Sequence, residues 1–229
     1  VAAVDSDADD RVWLTTWSYL SPTTLSLSDA GGGTRRMRTQ AQTLRSLPPM
    51  FDASTHEVCQ GSATSKDGTA IPYFVVRPKA AASGPVPTLL YGYGGFQISM
   101  TPKYVATTGA AWLEEGGCYV EANIRGGGEF GPDWHQAAKR EGRHKAYEDF
   151  EAVAMDLVQT GVTTHSMLAC RGGSNGGLLV GNMLTRSPHL FGAVVCAVPL
   201  LDMRRYNQLL AGASWMAEFG DPDTSDWDD

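Results

Sequence analysis

Two kinds of apolar spacing follow one another along the chain. Residues 11–20, Arg-Val-Trp-Leu-Thr-Thr-Trp-Ser-Tyr-Leu, are aromatic and β-branched and end on Ser21-Pro22, a pattern that predicts a strand and a turn. Residues 23–27 predict a second short strand, with a flexible turn over 28–33. Two or three short strands cannot stand alone in water, so residues 1–47 are expected to be the end of a larger β architecture. Pro48-Pro49 then punctuates the chain, and residues 57–65 and 69–77 around Lys66-Asp67-Gly68 predict a β-hairpin. Beyond it the period changes. Strands are expected at 88–91, 118–124, 167–170 and 193–198, and helices at 106–115, 143–159 and 177–186. In the helix at 143–159, Ala146, Phe150, Val153, Ala154, Leu157 and Val158 share one face. Strands alternating with helices imply crossover connections and a parallel sheet, so residues 48–229 are expected to form an α/β domain.

Composition narrows the functional classes. The 229 residues are 42% hydrophobic and 19% charged, with a net charge of −7. The densest basic cluster is Arg35, Arg36 and Arg38, too small for the basic face that a nucleic-acid partner requires. No apolar run is long enough to span a bilayer. A small or flexible soluble partner is expected, with no nucleic acid and no membrane. Cys59, Cys118, Cys170 and Cys196 form no CxxC pair, and three of them lie in apolar runs; buried free thiols are expected, which suits a reducing compartment.

The chemistry is concentrated in Gly172-Gly173-Ser174-Asn175-Gly176, a G-x-S-x-G sequence between a predicted strand and a predicted helix. Such an elbow exposes a nucleophilic serine on a strained turn, with glycines leaving space on either side. An elbow serine needs oxyanion donors. The Asn175 N–H is the first; Tyr93, in the glycine-rich loop Tyr91–Phe96 after the strand at 88–91, offers a phenol as the second. Gly126-Gly127-Gly128-Glu129-Phe130-Gly131 fits the dinucleotide fingerprint only formally: Glu129 would face a pyrophosphate, and Pro132 interrupts the expected helix. No cofactor and no metal are expected.

The usual order in this fold is Ser, then Asp or Glu, then His. The one histidine after Ser174 is His189, directly behind the elbow helix, and it reads as a surface residue; His56, His135, His144 and His165 all precede the serine. Asp202 follows the strand at 193–198, where an acid can sit, but has no downstream histidine to orient.

Three long segments in order, Leu90–Phe96, Ala122–Gly131 with Trp134-His135, and Gly172–Val180, resemble the prolyl oligopeptidase family of serine peptidases over nearly the whole chain. The resemblance implies an α/β-hydrolase domain whose sheet is incomplete, preceded by the last strands of a β-propeller at 1–47. It implies Ser174 as nucleophile, an oxyanion hole of Tyr93 and Asn175, and a proline pocket walled by Phe96, Leu200, Trp215 and Phe219. Phe219 stands where the family usually has tyrosine, and Leu200 where a smaller aliphatic is common. The implied partner is a short peptide, the implied compartment cytoplasmic and the implied full-length state monomeric. The family's acid and histidine would lie beyond Asp229, leaving this piece inactive by itself. An esterase or lipase on the same fold, or a non-catalytic binding protein on the same scaffold, are the competing readings. The propeller-like strands and the Tyr93 loop argue against the esterase.

Overall fold

The computed structural model describes residues 1–7, 10–30, 41–80 and 84–227. The residues at 31–33 in the expected glycine turn and the Arg35/Arg36/Arg38 cluster lie outside the described residues. The chain divides into two units, one of residues 1–57 and 102–115, the other of 58–101 and 116–229.

The first unit carries a four-stranded antiparallel sheet in sequence order: β1 (Ala2–Ala3), β2 (Arg11–Thr16), β3 (Thr24–Asp29) and β4 (Gln42–Ser46). The strands expected at 11–20 and 23–27 correspond to β2 and β3. β2 stops at Thr16, because Ser18 folds into a turn that its Oγ closes by accepting from the Leu20 and Ser21 N–H groups. This unit does not end at residue 47. Phe51 stacks on Tyr104 with centroids 5.4 Å apart, the Tyr104 hydroxyl accepts from the Met50 N–H at 2.7 Å, and Glu114 accepts from the Asp52 N–H at 2.8 Å. The helix expected at 106–115 therefore belongs to this unit, as α1 (Ala106–Thr108) continued by a π-helical turn, Gly109–Leu113.

The second unit is built on a six-stranded mixed sheet of β5 (His56–Thr64), β6 (Ala70–Pro78), β7 (Thr88–Tyr91), β8 (Cys118–Ala122), β9 (Leu168–Gly173) and β10 (Ala193–Ala197), in the order β10-β9-β7-β8-β6-β5. The four strands from β10 to β8 are parallel, and β6 runs antiparallel to β8, so the expected parallel sheet gains an antiparallel hairpin at one side. α2 (Pro132–Gln136), α3 (His144–Gln159), α4 (Asn175–Arg186) and α5 (Met216–Phe219) complete the unit. α3 buries Ala146, Phe150, Val153, Ala154 and Leu157 in the core with Ile71, Leu90, Val120 and Leu168, whereas Val158 is only half-buried. That face is the one the 3.6-residue period marks.

Two sequence expectations need correction. Pro132 begins α2 instead of interrupting a helix, since its missing N–H falls where no intrahelical bond is made. The thiols are all free, but only Cys118 and Cys170 are buried; Cys59 is half-buried and Cys196 exposed. Cys196 lies on β10, an edge strand exposed along most of its length, so an apolar run there does not mean burial. Among the described residues no helix is long and apolar enough to cross a membrane.

Topology positions the site. From β7 the chain moves to β8 on one side and returns to β9 on the other, so the strand order reverses at β7. Ligand sites in open α/β sheets form at such a reversal, outside the carboxyl ends of the strands. The loops leaving β7 and β9 at that end carry Tyr93 and Ser174.

Candidate active site

β9 runs through Gly172 and Gly173 and turns at once into α4, whose first residue is Asn175. Ser174 holds the turn with φ 57° and ψ −118°, a conformation that costs a non-glycine residue roughly 1–3 kcal/mol and must be held by its surroundings. Two backbone bonds hold it: the Ser174 N–H donates to the Ala197 carbonyl at 3.1 Å, and its carbonyl accepts from the Leu178 N–H at 3.1 Å. The side chain is left exposed at the amino end of α4. The glycines are steric necessities. A Cβ on Gly172 would lie 1.9 Å from the Gly176 carbonyl oxygen, and one on Gly176 would lie 2.7 Å from that of Gly92. Gly172→Ala is accordingly expected to lose at least about 2 kcal/mol in urea unfolding, because backbone and not a movable side chain blocks the methyl.

The loop after β7 lies against the elbow. The Asn175 side-chain amide donates to the Tyr93 carbonyl, and Ser174 lies near enough to the Tyr93 phenol to influence its pKa. Burial, helped by the Glu218 charge, raises the Tyr93 pKa, while Ser174 and Arg143 lower it; the net direction is upward. The phenol therefore stays protonated at neutral pH and can donate a hydrogen bond. Asn175 is itself buried, and its backbone N–H, the first of α4, is the other group the sequence assigns to the oxyanion.

A trio of aromatic rings adjoins this loop. Phe96 makes edge contacts with Trp215 at 6.4 Å and with Phe219 at 5.9 Å between centroids, and all three rings are half-buried. Three of the four expected pocket residues are thus brought together from two distant chain segments. Leu200 is half-buried in the loop after β10.

A model described as the prolyl oligopeptidase family matches residues 104–227. The chain belongs to that family. An uncharacterized peptidase of Sinorhizobium fredii is 49% identical over 218 residues, covering 95% of this chain and 29% of that protein. A prolyl endopeptidase of Elizabethkingia miricola is 42% identical over 163 residues, 71% of this chain and 23% of that one. Among solved structures, a post-proline cleaving enzyme from Rickettsia typhi superposes with a TM-score of 0.84 at 40% identity, covering 95% of this chain and 31% of that chain. The chain thus spans 23–31% of the length of these prolyl oligopeptidase relatives.

Sequence reasoning missed one part of this prolyl oligopeptidase site. Glu218, between Trp215 and Phe219, is 4% exposed and accepts from His135 Nε2 at 2.7 Å, Arg143 Nη2 at 2.8 Å and the Phe96 N–H at 2.9 Å. A lone glutamate in Met216-Ala217-Glu218-Phe219 carries no sequence signal of burial, because its partners lie 75 to 122 residues away. His135 is therefore committed to a carboxylate. Asp202 is likewise engaged, by bonds from Arg205 Nε and Nη2 that hold its carboxyl below the usual range, and His189 is exposed behind α4 as the sequence suggests.

Proposed function

We propose that this chain is the nucleophile-bearing part of a longer serine endopeptidase that cleaves short peptides after proline. Ser174 Oγ attacks the scissile carbonyl, and its proton passes to a histidine carried by the rest of the complete protein. The carbonyl π electrons move to oxygen, where the Tyr93 hydroxyl and the Asn175 N–H stabilise the oxyanion. Collapse of the tetrahedral intermediate expels the leaving amine, which takes up that proton, and water then releases the acyl group. Phe96, Trp215, Phe219 and Leu200 form the pocket. A proline ring has no donor to recognise, and flat apolar faces suit it.

The observation that carries this reading is a serine at a strained strand-to-helix elbow, φ 57°, beside the glycine-rich Tyr93 loop, to which the Asn175 amide is bonded. The aromatic trio formed by Phe96 of that loop with Trp215 and Phe219 supports the substrate class. The four-stranded antiparallel sheet has the strand number of one propeller blade and supports a propeller preceding the catalytic domain, which would restrict entry to short peptides. Four free thiols fit an enzyme of the cytoplasm.

The test is hydrolysis by the complete gene product. Peptides with proline before the scissile bond should be cleaved in preference to alanine counterparts, and Tyr93→Phe should lower kcat by about 10²–10³-fold, the usual cost of one oxyanion donor. Equal rates on both peptides would overturn the proline specificity. An unchanged kcat in Tyr93→Phe would remove the phenol from the oxyanion hole.

A further inference from the structure

Beside the aromatic trio lies a buried cluster whose connections reach two of its three rings, Phe96 through its N–H and Phe219 through its face. Glu218 Oε1 accepts from the Phe96 N–H and from Arg143 Nη2, and Oε2 accepts from His135 Nε2. The side chains of Glu218, His135 and Arg143 are only 5%, 10% and 11% exposed. Arg143 Nη1 donates to the Gly94 carbonyl, and its guanidinium carbon sits 4.7 Å from the centroid of Phe219. One carboxylate therefore ties α5 and its flanking Trp215 to the loop after β7.

Phe96 is the residue on which this tie acts. Its φ is 56°, in the left-handed region, and Gln97 beside it has φ 55°. A bulky side chain does not remain there unaided. The Phe96 N–H is held by Glu218, and the Gln97 N–H by the Gly126 carbonyl at 3.2 Å. In that conformation the Phe96 ring meets both Trp215 and Phe219. Released, the backbone would relax toward negative φ and the ring would leave the trio. The arrangement is also costly: a carboxylate is taken out of water, while His135 Nδ1 and Arg143 Nε remain buried without a hydrogen-bond partner.

We infer that Glu218 is a positioning residue that sets proline selectivity by holding Phe96 in its left-handed conformation, with Arg143 and His135 holding Glu218. It touches no substrate; it acts through the ring. This rests on the proline pocket proposed above. Glutamine at 218 keeps the shape but offers one acceptor oxygen where three donors converge, and turns an N–H₂ toward at least one of them.

The measurement is steady-state kinetics of the complete gene product on matched proline and alanine peptides. Glu218→Gln should raise KM for the proline peptide about tenfold and lower kcat by less than about threefold, the split expected when ground-state and transition-state binding fall together. Phe96→Ala should raise KM by a similar factor, and the double variant should be no worse than Phe96→Ala, because the two changes remove one interaction. Additive effects, or an unchanged KM in a folded Glu218→Gln, overturn the inference. If Glu218→Gln does not fold by circular dichroism, Arg143→Lys carries the test. It keeps the charge but cannot bridge Glu218 and Gly94 together, and an unchanged KM there overturns the inference as well. A wild type without proline preference overturns the substrate reading and this inference with it. A wild type that prefers proline, beside variants with unchanged KM, overturns the inference alone.

Discussion

Arg125→Met is expected to destabilise the protein by about 3–5 kcal/mol, the loss typical when one partner of a buried ion pair is removed. The Arg125 side chain is 4% exposed and Asp149 0%. Nε and Nη2 of Arg125 make a two-pronged contact with Asp149 at 2.9 and 2.6 Å, and Asp149 also accepts from the Ser65 hydroxyl at 2.6 Å and the Arg125 N–H at 3.0 Å. The variant keeps the last two bonds and loses the charge, leaving a carboxylate that water cannot reach. Asp67 is the partner that can escape, since its side chain is 39% exposed. Urea unfolding at neutral pH measures the loss; a change under about 1 kcal/mol would mean that Asp149 is compensated in another way.

The same network gives the loss a pH dependence whose sign follows from Asp67. Its hydrogen bond to Arg125 holds the carboxyl far below its ordinary value, and the Thr69 contact adds to that. A group depressed in the folded state contributes stability that is complete above its unfolded pKa, about 4, and fades as the pH falls below it. The gap between wild type and Arg125→Met should therefore narrow in acid. Function is coupled to this anchor. Arg125 lies in the loop after β8, next to Gly126, where a Cβ would lie 2.4 Å from the Gly94 carbonyl oxygen. Loosening Arg125 loosens the support under Tyr93 and Phe96.

What could be read from the sequence was whatever repeats or has a local steric signature. The strands β7 to β9 and helices α3 and α4 announce themselves because burial on a sheet or along a helical stripe forces apolar spacing. The elbow is legible because glycines at 172 and 176 are demanded by backbone approaching within 3 Å. β4 is not legible: all five of its residues are exposed, so nothing in Gln-Thr-Leu-Arg-Ser had to be apolar. The start of α4 at Asn175, before the expected 177, is hidden because Asn175, Gly176 and Gly177 are poor helix formers held in place by the elbow. The exposure of Cys196 depends on β10 being at an edge, a property of the sheet and not of the strand. The Glu218 cluster illustrates the general limit. Charged residues read as solvated unless their partners are known, and partners brought together by tertiary folding leave no mark in the spacing. His135 lies in the segment that resembles the family, yet only the fold gives it Glu218.

The chain alone is expected to react slowly with a fluorophosphonate at Ser174, and the complete gene product at least about 10⁴-fold faster, since removing the base of a serine triad costs on the order of 10⁴–10⁶ in rate. The five histidines of the chain are all engaged or exposed away from the serine. His135 is bound to Glu218, the His144 ring contacts the Glu141 carbonyl at 2.9 Å, the His165 ring contacts the Leu190 carbonyl at 3.4 Å, and His56 meets Thr55 at 3.1 Å. His189 is exposed after α4. None of these contacts involves Ser174, and the nearby Tyr93 phenol is kept protonated by burial and cannot take its proton. In this arrangement no histidine of the five is placed to take the Ser174 proton, and a serine at its free pKa is a weak nucleophile. Mass spectrometry of the labelled peptide, with Ser174→Ala as control, reads the outcome. Rapid labelling of the chain alone would mean that one of these histidines swings to the serine, His135 being the one whose release from Glu218 would have to accompany it. No labelling in either form would remove Ser174 as the nucleophile. Slow labelling of the chain and rapid labelling of the complete protein would locate the base outside residues 1–229, with the nucleophile already strained and ready within them.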